Sequence, residues 1–273
     1  MIDEAFRICS IDGKEQRRLN LKAKVDYGGD RVVYHRQDLH DVLKIAAKEA
    51  GAAIRTSSRV DTVDCDEGVV CLENAEKLSG FDLVVGADGI RSKTRESVLK
   101  RTALAIPTGS SAYRLTIDAK SIEDDEAISQ FLNPRDPCTT MVVGYDCRLV
   151  MGPARNGQLY SIVAMVPDVK SKDDVEATSW TTKGDMNALI ECFKDFPPWC
   201  HRLFSKAGDD IGLWQLRDLD PLETWVRGRT IIIGDASHAM LPTQGQGASQ
   251  SIEDAVCESF FDSNSRVAVL MKV

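Results

Sequence analysis

Two segments of this 273-residue chain combine an apolar strand, a turn that pairs glycine with an acid, and the start of a helix. The first contains Asp88 and Gly89 in FDLVVGADGIRSKTR, and the second contains Gly234 and Asp235 in TIIIGDASHAMLPTQGQGASQ. Glycine at such a turn lets the backbone approach a ligand closely, and the helix start offers unpaired N–H groups and partial positive charge to an anion. The pattern therefore predicts two ligand-binding turns at the carboxyl edge of an open α/β sheet.

The first turn has two interpretations that the motif alone does not separate. Asp88 is placed to accept hydrogen bonds from ligand hydroxyls, and Arg91 and Arg95, one helical turn apart, could meet a phosphate. In the alternative, Asp88 is a helix N-cap and the two arginines lie on a solvated helix face.

The second turn is the more specific of the two, because several features follow one another in order. Gly234 lets the strand end close to a ligand, Asp235 can bind a sugar-chain hydroxyl, and Pro242 stiffens the loop. The run Gly245–Gln246–Gly247 then leaves backbone N–H groups free at the start of a helix. Those groups suit a ligand that becomes anionic.

Hydrophobic periodicity predicts the elements that carry these turns. One helix has its N-cap at Asp38, stops at Gly51, and carries an apolar face of Leu39, Val42, Leu43, Ala46 and Ala47. Two more follow the turns, one from about Ser92 and one across GQGASQSIEDAVCESFF, with Ile252, Ala255, Val256 and Phe260 inward. The segments YRLTID, TTMVVGY and LYSIVAMVP predict strands of a separate, largely antiparallel layer. The last stretch, DSNSRVAVLMKV, carries no strong pattern.

Composition argues against several classes of function. The net charge of −8, with basic residues interleaved among acids, disfavours nucleic-acid binding, because phosphate neutralisation needs clustered Lys and Arg. The eight cysteines show no C-x-x-C spacing, so we predict no metal site and treat them as reduced packing residues. No apolar run approaches the roughly 20 residues of a membrane helix, and the N-terminus carries no secretion signal. We therefore expect a cytoplasmic chain without a membrane segment.

In combination, these motifs resemble the single-component FAD-dependent aromatic hydroxylases, the group that includes salicylate hydroxylase and p-hydroxybenzoate hydroxylase. The chain looks most similar to fungal members of the salicylate hydroxylase type, and the resemblance runs to about Ala255. It implies an α/β fold: an incomplete Rossmann-like FAD-binding domain with an inserted, mainly antiparallel-sheet substrate domain. The implied division assigns residues 1–104 and 213–273 to the FAD-binding domain and residues 105–212 to the substrate domain.

The resemblance also assigns cofactor roles to residues at matching positions. The Asp88–Gly89 turn would serve the FAD pyrophosphate and the path of NAD(P)H, and the Gly234–Asp235 turn would hold the ribityl chain. Pro242 and the Gly245–Gln246–Gly247 run would lie beside the isoalloxazine. Arg36 matches an arginine at the head of a helix that reaches the sugar-phosphate part of the flavin, although it could equally be an ordinary surface residue.

Substrate positions follow from the same resemblance. Tyr113, Arg114 and Arg155 match sheet positions of the family's substrate domain. Family members usually carry an aromatic residue before the proline of GPARNGQL, where this chain has Gly152, which implies an altered substrate pocket. For His238, a turn-stabilising or flavin-edge hydrogen bond competes with a role as general base. No other residue stands out as a catalytic base.

The implied activity is that of a monooxygenase. Such an enzyme reduces FAD with NAD(P)H, forms a flavin C4a-hydroperoxide with O2, and transfers one oxygen atom to a small aromatic or related substrate. The family begins with a strand–GxGxxG–helix unit that this sequence lacks, so a truncated, poorly folding and catalytically inactive fragment is one alternative. A flavin-dependent epoxidase of a biosynthetic pathway is another, because the motifs concern the flavin rather than the substrate.

Overall fold

The computed structural model describes residues 1–168, 181–208, 211–258 and 265–271 of the chain. The chain forms two compact units. The first unit comprises Met1–Ala53 and Gly109–Leu216, and the second comprises Ile54–Thr108 and Arg217–Val273. Among the described residues, no helix is both long and apolar enough to cross a membrane.

Strands and helices are interspersed along the described residues. The strands are β1 (Ala5–Ser10), β2 (Glu15–Asn20), β3 (Val60–Asp64), β4 (Val69–Leu72), β5 (Lys77–Leu78), β6 (Leu83–Ala87), β7 (Ile106–Asp118), β8 (Cys138–Val143), β9 (Arg148–Ala154), β10 (Leu159–Pro167), β11 (Thr181–Lys183), β12 (Gly212–Asp218), β13 (Val226–Arg227), β14 (Thr230–Ile232) and β15 (Val267–Met271). The helices are α1 (Ala23–Tyr27), α2 (Arg36–Glu49), α3 (Lys93–Leu99), α4 (Ala119–Glu123), α5 (Glu126–Ser129), α6 (Met186–Cys192), α7 (Pro198–Phe204), α8 (Asp235–His238) and α9 (Gly247–Glu258).

The first unit is built on an eight-stranded sheet in the order β11-β12-β7-β10-β9-β8-β1-β2. β10 pairs antiparallel with β7 and β9, and β8 pairs antiparallel with β9, as the alternating segments predicted. β1 and β2 form a hairpin, and β1 joins the sheet by parallel pairing with β8. Residues 1–53 therefore belong to the sheet unit, whereas the predicted division placed them with the FAD-binding domain.

The core of the first unit covers one face of this sheet. On β7, the side chains of Tyr113, Leu115 and Ile117 point into a buried cluster that also contains the aromatic residues of α7. Because successive strand residues point to opposite faces, Arg114 and Thr116 lie on the other face and are exposed. This open face of β7 is available for polar and ligand contacts.

The second unit contains a four-stranded sheet in the order β13-β14-β6-β15 and a separate three-stranded sheet, β3-β4-β5. β6 pairs in parallel with β14 on one side and with β15 on the other. Val84 and Ile232 are fully buried and pack with Val98 of α3, and Leu270 of β15 packs against the same cluster. The final stretch thus forms a strand where its sequence showed no strong pattern.

Helix α2 confirms the predicted helix but not its predicted cap. The N-cap position is His35, which makes no side-chain capping bond, and Asp38 lies in the first turn of the helix. Asp38 is the third residue of the helix and so lies past the cap position, and its carboxylate accepts hydrogen bonds from the guanidinium of Arg155. At the other end Gly51 has φ +89° and its N–H donates to the carbonyl of Lys48, so the predicted stop is confirmed.

Helix α9 also forms where it was predicted, but its predicted inward face is wrong. Ile252 and Val256 are 56% and 57% exposed, and Ala255 is exposed as well. Phe260 lies outside the described residues. Polar contacts made by Ser251 and Asp254, rather than apolar burial, decide which side of α9 faces the rest of the unit. Taken with the three sheets, the helices confirm the predicted α/β fold class with a mainly antiparallel sheet unit.

Candidate functional site

The two predicted turns of the second unit leave neighbouring parallel strands at the same edge of the sheet. Asp88 follows the last residue of β6, and Gly234 follows shortly after the end of β14. The strands run in register, with Ile232 opposite Gly86. Both turns therefore lie at the carboxyl edge, where the sequence predicted a ligand site.

The carboxylate of Asp88 is hydrogen-bonded to the start of α3. One oxygen accepts the hydroxyl of Ser92, and the other accepts the backbone N–H groups of Lys93 and Thr94 at 2.8 and 3.0 Å. The N-cap residue of α3 is Ser92, so Asp88 is not the cap that one interpretation predicted, although its carboxylate accepts N–H groups at the helix start. The neighbouring Gly89 has φ +79°, and no atom lies within 4 Å of the point where its Cβ would stand. The open space at this turn thus lies beside the backbone of Gly89, whereas the carboxylate of Asp88 is hydrogen-bonded to α3.

Arg95 has neither of its two predicted roles. It is only 1% exposed, so it does not lie on a solvated face. Its guanidinium donates to the carbonyls of Ala236 at 2.9 Å and of Asp235 at 3.4 Å, and it also reaches the carbonyls of Ala103 and Ile90. Burial lowers the pKa of Arg95 from its ordinary value. This residue joins the first turn to the second.

At the second turn one acid, Asp235, is exposed, and another, Asp254, hydrogen-bonds the backbone of the turn. Asp235 opens the short helix α8 and is exposed, and within the described residues no hydrogen bond engages its carboxylate. The backbone N–H of Gly234, by contrast, donates to Asp254 of α9 at 2.7 Å. His238 also binds Asp254, through Nε2 at 2.6 Å, and its ring centroid lies 5.5 Å from that of Trp225. A turn-stabilising bond is therefore the interaction that His238 makes here.

The loop between α8 and α9 exposes backbone at its glycines. Pro242 begins a short 3-10 turn, and Gly245 ends it in the left-handed region at φ +64°. No atom lies within 4 Å of a Cβ built on Gly245 or on Gly247, the first residue of α9. Pro242 and Gln246 are exposed beside them. Because the first N–H groups of a helix have no intrahelical partner, this segment offers free donors to a ligand.

In the first unit, Arg36 and Arg114 are the predicted ligand residues with accessible side chains. Arg36 is the first residue of α2 and is exposed, and in the described part of the chain no hydrogen bond or ion pair engages it. Arg114 lies on the open face of β7 with its guanidinium 5.2 Å from the ring centroid of Trp214. Partial burial lowers the pKa of Arg114, and the positive charge of Arg36 lowers it further.

Tyr113 and Arg155 are engaged elsewhere in the same unit. The ring of Tyr113 is buried in the core at 2% exposure, on the face of β7 opposite Arg114. Arg155 donates to both carboxylate oxygens of Asp38, from Nε at 2.9 Å. This bond holds the pKa of Asp38 below its usual value and raises that of Arg155.

Gly152 borders a cavity of about 220 Å³ on the outer side of the first unit's sheet. The lining includes Asp3, Tyr34, Thr139, Gly152, Ser161 and Val163. The nearest atoms to a Cβ built on Gly152 lie 3.6 Å away, which is ordinary contact, so the backbone here has room for a side chain that it does not carry. An aromatic residue at this position would occupy part of the cavity.

Sequence reasoning missed the roles of Asp254 and Trp214. Asp254 lies within the predicted helix GQGASQSIEDAVCESFF without a predicted role, yet it binds both Gly234 and His238. Its position three residues after Ser251, which also approaches Gly234, is a helical spacing that could have pointed to a polar face. Trp214 belongs to none of the recognised motifs, and its contact with Arg114 depends on the pairing of strands that are far apart in the sequence.

The sequence is similar to a known family and to known proteins over most of its length. The sequence matches the family described as FAD binding domain over residues 4–257. The FAD-dependent monooxygenase ntnJ of Nectria sp is 32% identical over 253 residues, covering 90% of this chain and 59% of that protein. Salicylate hydroxylase of Pseudomonas putida is 30% identical over 242 residues, covering 86% of this chain and 55% of that protein.

A solved structure extends the likeness to the fold. CtdE in complex with FAD and substrate 4 matches with a TM-score of 0.81 at 23% identity, covering 96% of this chain and 65% of CtdE. The chain thus spans between 55% and 65% of the length of these three proteins. The family match includes both turns and nearly all of α9. The chain therefore belongs to the FAD binding domain family, together with FAD-dependent monooxygenases and hydroxylases.

Proposed function

We propose that this chain binds FAD at its two turns and serves an NAD(P)H-dependent monooxygenase that oxygenates a small aromatic or related molecule. One observation carries the proposal: the turns after Ala87 and Ile232 follow neighbouring parallel strands, and Arg95 joins one to the other. In open α/β sheets, ligands bind in the crevice outside the carboxyl ends of such strands.

The residues present fit the chemical groups of FAD. Gly89, Gly245 and Gly247 leave open space above their backbone, which suits close approach of an extended, anionic ligand. The exposed carboxylate of Asp235 suits hydroxyl groups such as those of a ribityl chain. The Nδ1 atom of His238 is buried without a hydrogen-bond partner among the described residues, so a polar atom at this turn still lacks one.

When bound, FAD supplies the redox chemistry, namely hydride acceptance from NAD(P)H and activation of O2 for oxygen transfer. The chain binds and orients. Asp235 would accept hydrogen bonds from ribityl hydroxyls, and Pro242 would fix the loop that leads to Gly247. The N–H groups in the first turn of α9, together with that of Gln246, would stabilise negative charge on the reduced ring system.

The proposed contacts of the first turn and of Arg36 with FAD rest on different observations. For the first turn, the carboxylate of Asp88 is committed to α3, so we assign the pyrophosphate contact to the backbone around Gly89 and a supporting role to Asp88. Arg36 is proposed as a ligand of the sugar-phosphate part from the family resemblance. The support for Arg36 is its exposed, unpaired side chain at the head of α2.

For the substrate, we assign contact to Arg114 and to the cavity beside Gly152. Arg114 is exposed and stacked on Trp214, an arrangement that can meet a flat or anionic molecule. Tyr113 lies in the core and Arg155 binds Asp38, so neither offers a free group in this structure. The space beside Gly152 favours a substrate larger than one that shares its pocket with an aromatic side chain.

The test is to add FAD to the purified chain, remove unbound flavin, and record the visible spectrum. We expect retained flavin in wild-type chain and in Asp220→Ala, an exposed acid that precedes β14, and loss of flavin in Asp235→Ala. Far-UV circular dichroism establishes that all three are folded. Folded wild-type chain that retains no flavin, or Asp235→Ala that retains as much as wild type, contradicts the proposed site.

Turnover is measured separately. Substrate-stimulated oxidation of NAD(P)H by the flavin-loaded chain supports the monooxygenase proposal, with aromatic acids and phenols as the first substrates to be screened. Flavin retention without any such oxidation supports the binding site and contradicts turnover by the chain as given.

A further inference from the structure

Asp254 of α9 reaches back to the second turn and binds it at two points with one carboxylate oxygen. Its Oδ2 accepts the backbone N–H of Gly234 at 2.7 Å and the Nε2–H of His238 at 2.6 Å. The side chains of Asp254 and His238 are only 10% and 16% exposed. One partly buried oxygen therefore joins Gly234 and His238, the first and last residues of the segment that contains Asp235.

The backbone of this turn needs such support. Gly234 has φ +59° and ψ −143°, a conformation that residues with a Cβ adopt only under strain. A Cβ on Gly234 would lie 3.0 Å from the hydroxyl of Ser251, so glycine also permits the close approach of α9. Ser251 and Asp254 are three residues apart and share one face of the helix. The turn and the helix thus fix each other.

Asp254 also sets the chemical state of His238. A carboxylate accepts hydrogen bonds, so the bond to Nε2 requires a proton on that nitrogen. In the neutral ring the other nitrogen, Nδ1, is then an acceptor, and it is buried without a partner among the described residues. With Asp254 ionised, this contact therefore favours the tautomer of the neutral ring that carries its proton on Nε2.

We propose that Asp254 is a positioning residue for the flavin site, holding the turn from Gly234 to His238 so that Asp235 faces the ligand. The inference rests on the proposed binding of FAD. It assigns no contact with the flavin to Asp254 itself. Its effect passes through the Gly234 N–H and the His238 ring.

The first experiment compares FAD affinity, by quenching of flavin fluorescence, in three variants of the full chain. Asp254→Ala removes both bonds and should raise the Kd for FAD by at least about tenfold, the effect of losing hydrogen bonds to a charged group. Asp254→Asn keeps an oxygen that can accept both bonds and should retain most of the affinity. Glu253→Ala, at the exposed neighbouring acid, should bind like wild type.

The second experiment reads the imidazole directly and needs no flavin. Nitrogen-15 NMR of the flavin-free wild-type chain should show His238 protonated at Nε2 when neutral, and Asp254→Ala should lose that preference. Because the wild-type measurement stands alone, the inference is testable even where Asp254→Ala does not fold.

The outcomes separate the two proposals. Folded wild-type chain that binds no FAD contradicts the proposed function, whatever the state of His238. If the wild-type chain binds FAD, and Asp254→Ala binds it with the same affinity and the same visible flavin spectrum, the positioning role is overturned. The proposed function then stays intact. A neutral His238 protonated at Nδ1 in wild type also overturns it.

Discussion

Arg95 donates from its guanidinium to the carbonyl oxygen of Ala236, which lies 141 residues further along the chain, at 2.9 Å. The donor is buried, and its remaining nitrogens reach the carbonyls of Ile90 and Ala103. Its direct partners are carbonyl dipoles, and the negative charges of Asp88 and Glu96 also favour the charged guanidinium. This one side chain makes the geometry of the second turn depend on the first.

We expect Arg95→Ala to lower the free energy of unfolding by at least about 3 kcal/mol, because it leaves several buried carbonyls without a donor. Arg95→Lys should fall in between, since an ammonium cannot span the positions of a planar fork. Lys93→Ala on the same helix is the control, because its exposed ion pair with Glu96 should contribute less than about 1 kcal/mol. Urea unfolding measures all three. A free energy of unfolding for Arg95→Ala within about 1 kcal/mol of the wild-type value would contradict a stabilising role for this residue.

The strand–turn–helix units could be predicted from the sequence because their signals are local. An apolar run and a glycine lie within fifteen residues of one another around Asp88, and the helix predicted from about Ser92 begins there, where the Ser92 hydroxyl accepts the backbone N–H of Arg95. The same holds for β7, β8 and β10 of the first unit, the three predicted strands, where apolar and polar residues alternate.

The contacts that shape the site could not be predicted, because they join residues far apart in the chain. Nothing near Arg95 indicates that its partner is Ala236, and nothing near Asp254 indicates Gly234. The exposure of Ile252 has the same origin: local periodicity gives an apolar helix face but not the surface it meets. In β15, five apolar residues are too few to distinguish a strand from other structures.

The ion pair between Asp38 and Arg155 gives a pH-dependent prediction. Arg155 lowers the pKa of Asp38 in the folded chain below its ordinary value of 3.8, so the stabilisation is fully present above that value and is lost as the pH falls through the lower, native one. Asp38→Asn should therefore melt at a lower temperature than wild type near neutral pH, and the two curves should converge in acid.

Thermal unfolding followed by circular dichroism across this range measures the difference. Asp41→Asn is the matched control, because Asp41 is exposed on the same helix and hydrogen-bonds Gln37 rather than an arginine. A gap between wild type and Asp38→Asn that stays constant as the pH falls would show that the carboxylate charge of Asp38 is not what matters.

The packing of strand β15 can be tested by substitutions on its two faces, one packed against the core and one exposed. Leu270 packs against the core of the second unit, whereas its neighbour Val269 is 54% exposed. A carboxylate at the packed position must be desolvated, so Leu270→Asp should destabilise by about 3 kcal/mol, and Val269→Asp by less than about 1 kcal/mol. Urea unfolding compares them. Equal losses in both variants would mean that β15 does not dock with this register.

A substitution at Gly247 should weaken FAD binding without lowering the stability of the chain. It is the first residue of α9, its φ lies outside the left-handed region, and an added Cβ would meet no atom within 4 Å. Gly247→Ala should therefore leave the free energy of unfolding unchanged or raise it by up to about 1 kcal/mol, because alanine favours helix. If FAD approaches this backbone closely, the added methyl group must displace it, and the Kd should rise roughly tenfold.

The control for Gly247→Ala is Gly29→Ala in the first unit, another glycine with open space and no positive φ. Both variants should unfold like wild type in urea, and only Gly247→Ala should weaken FAD in a fluorescence titration. Since the protein itself leaves room for the methyl group, a selective loss of affinity can come only from the ligand filling that space. Unchanged affinity in a folded Gly247→Ala chain would place the flavin away from the start of α9, and the donors of that helix turn would then need another role.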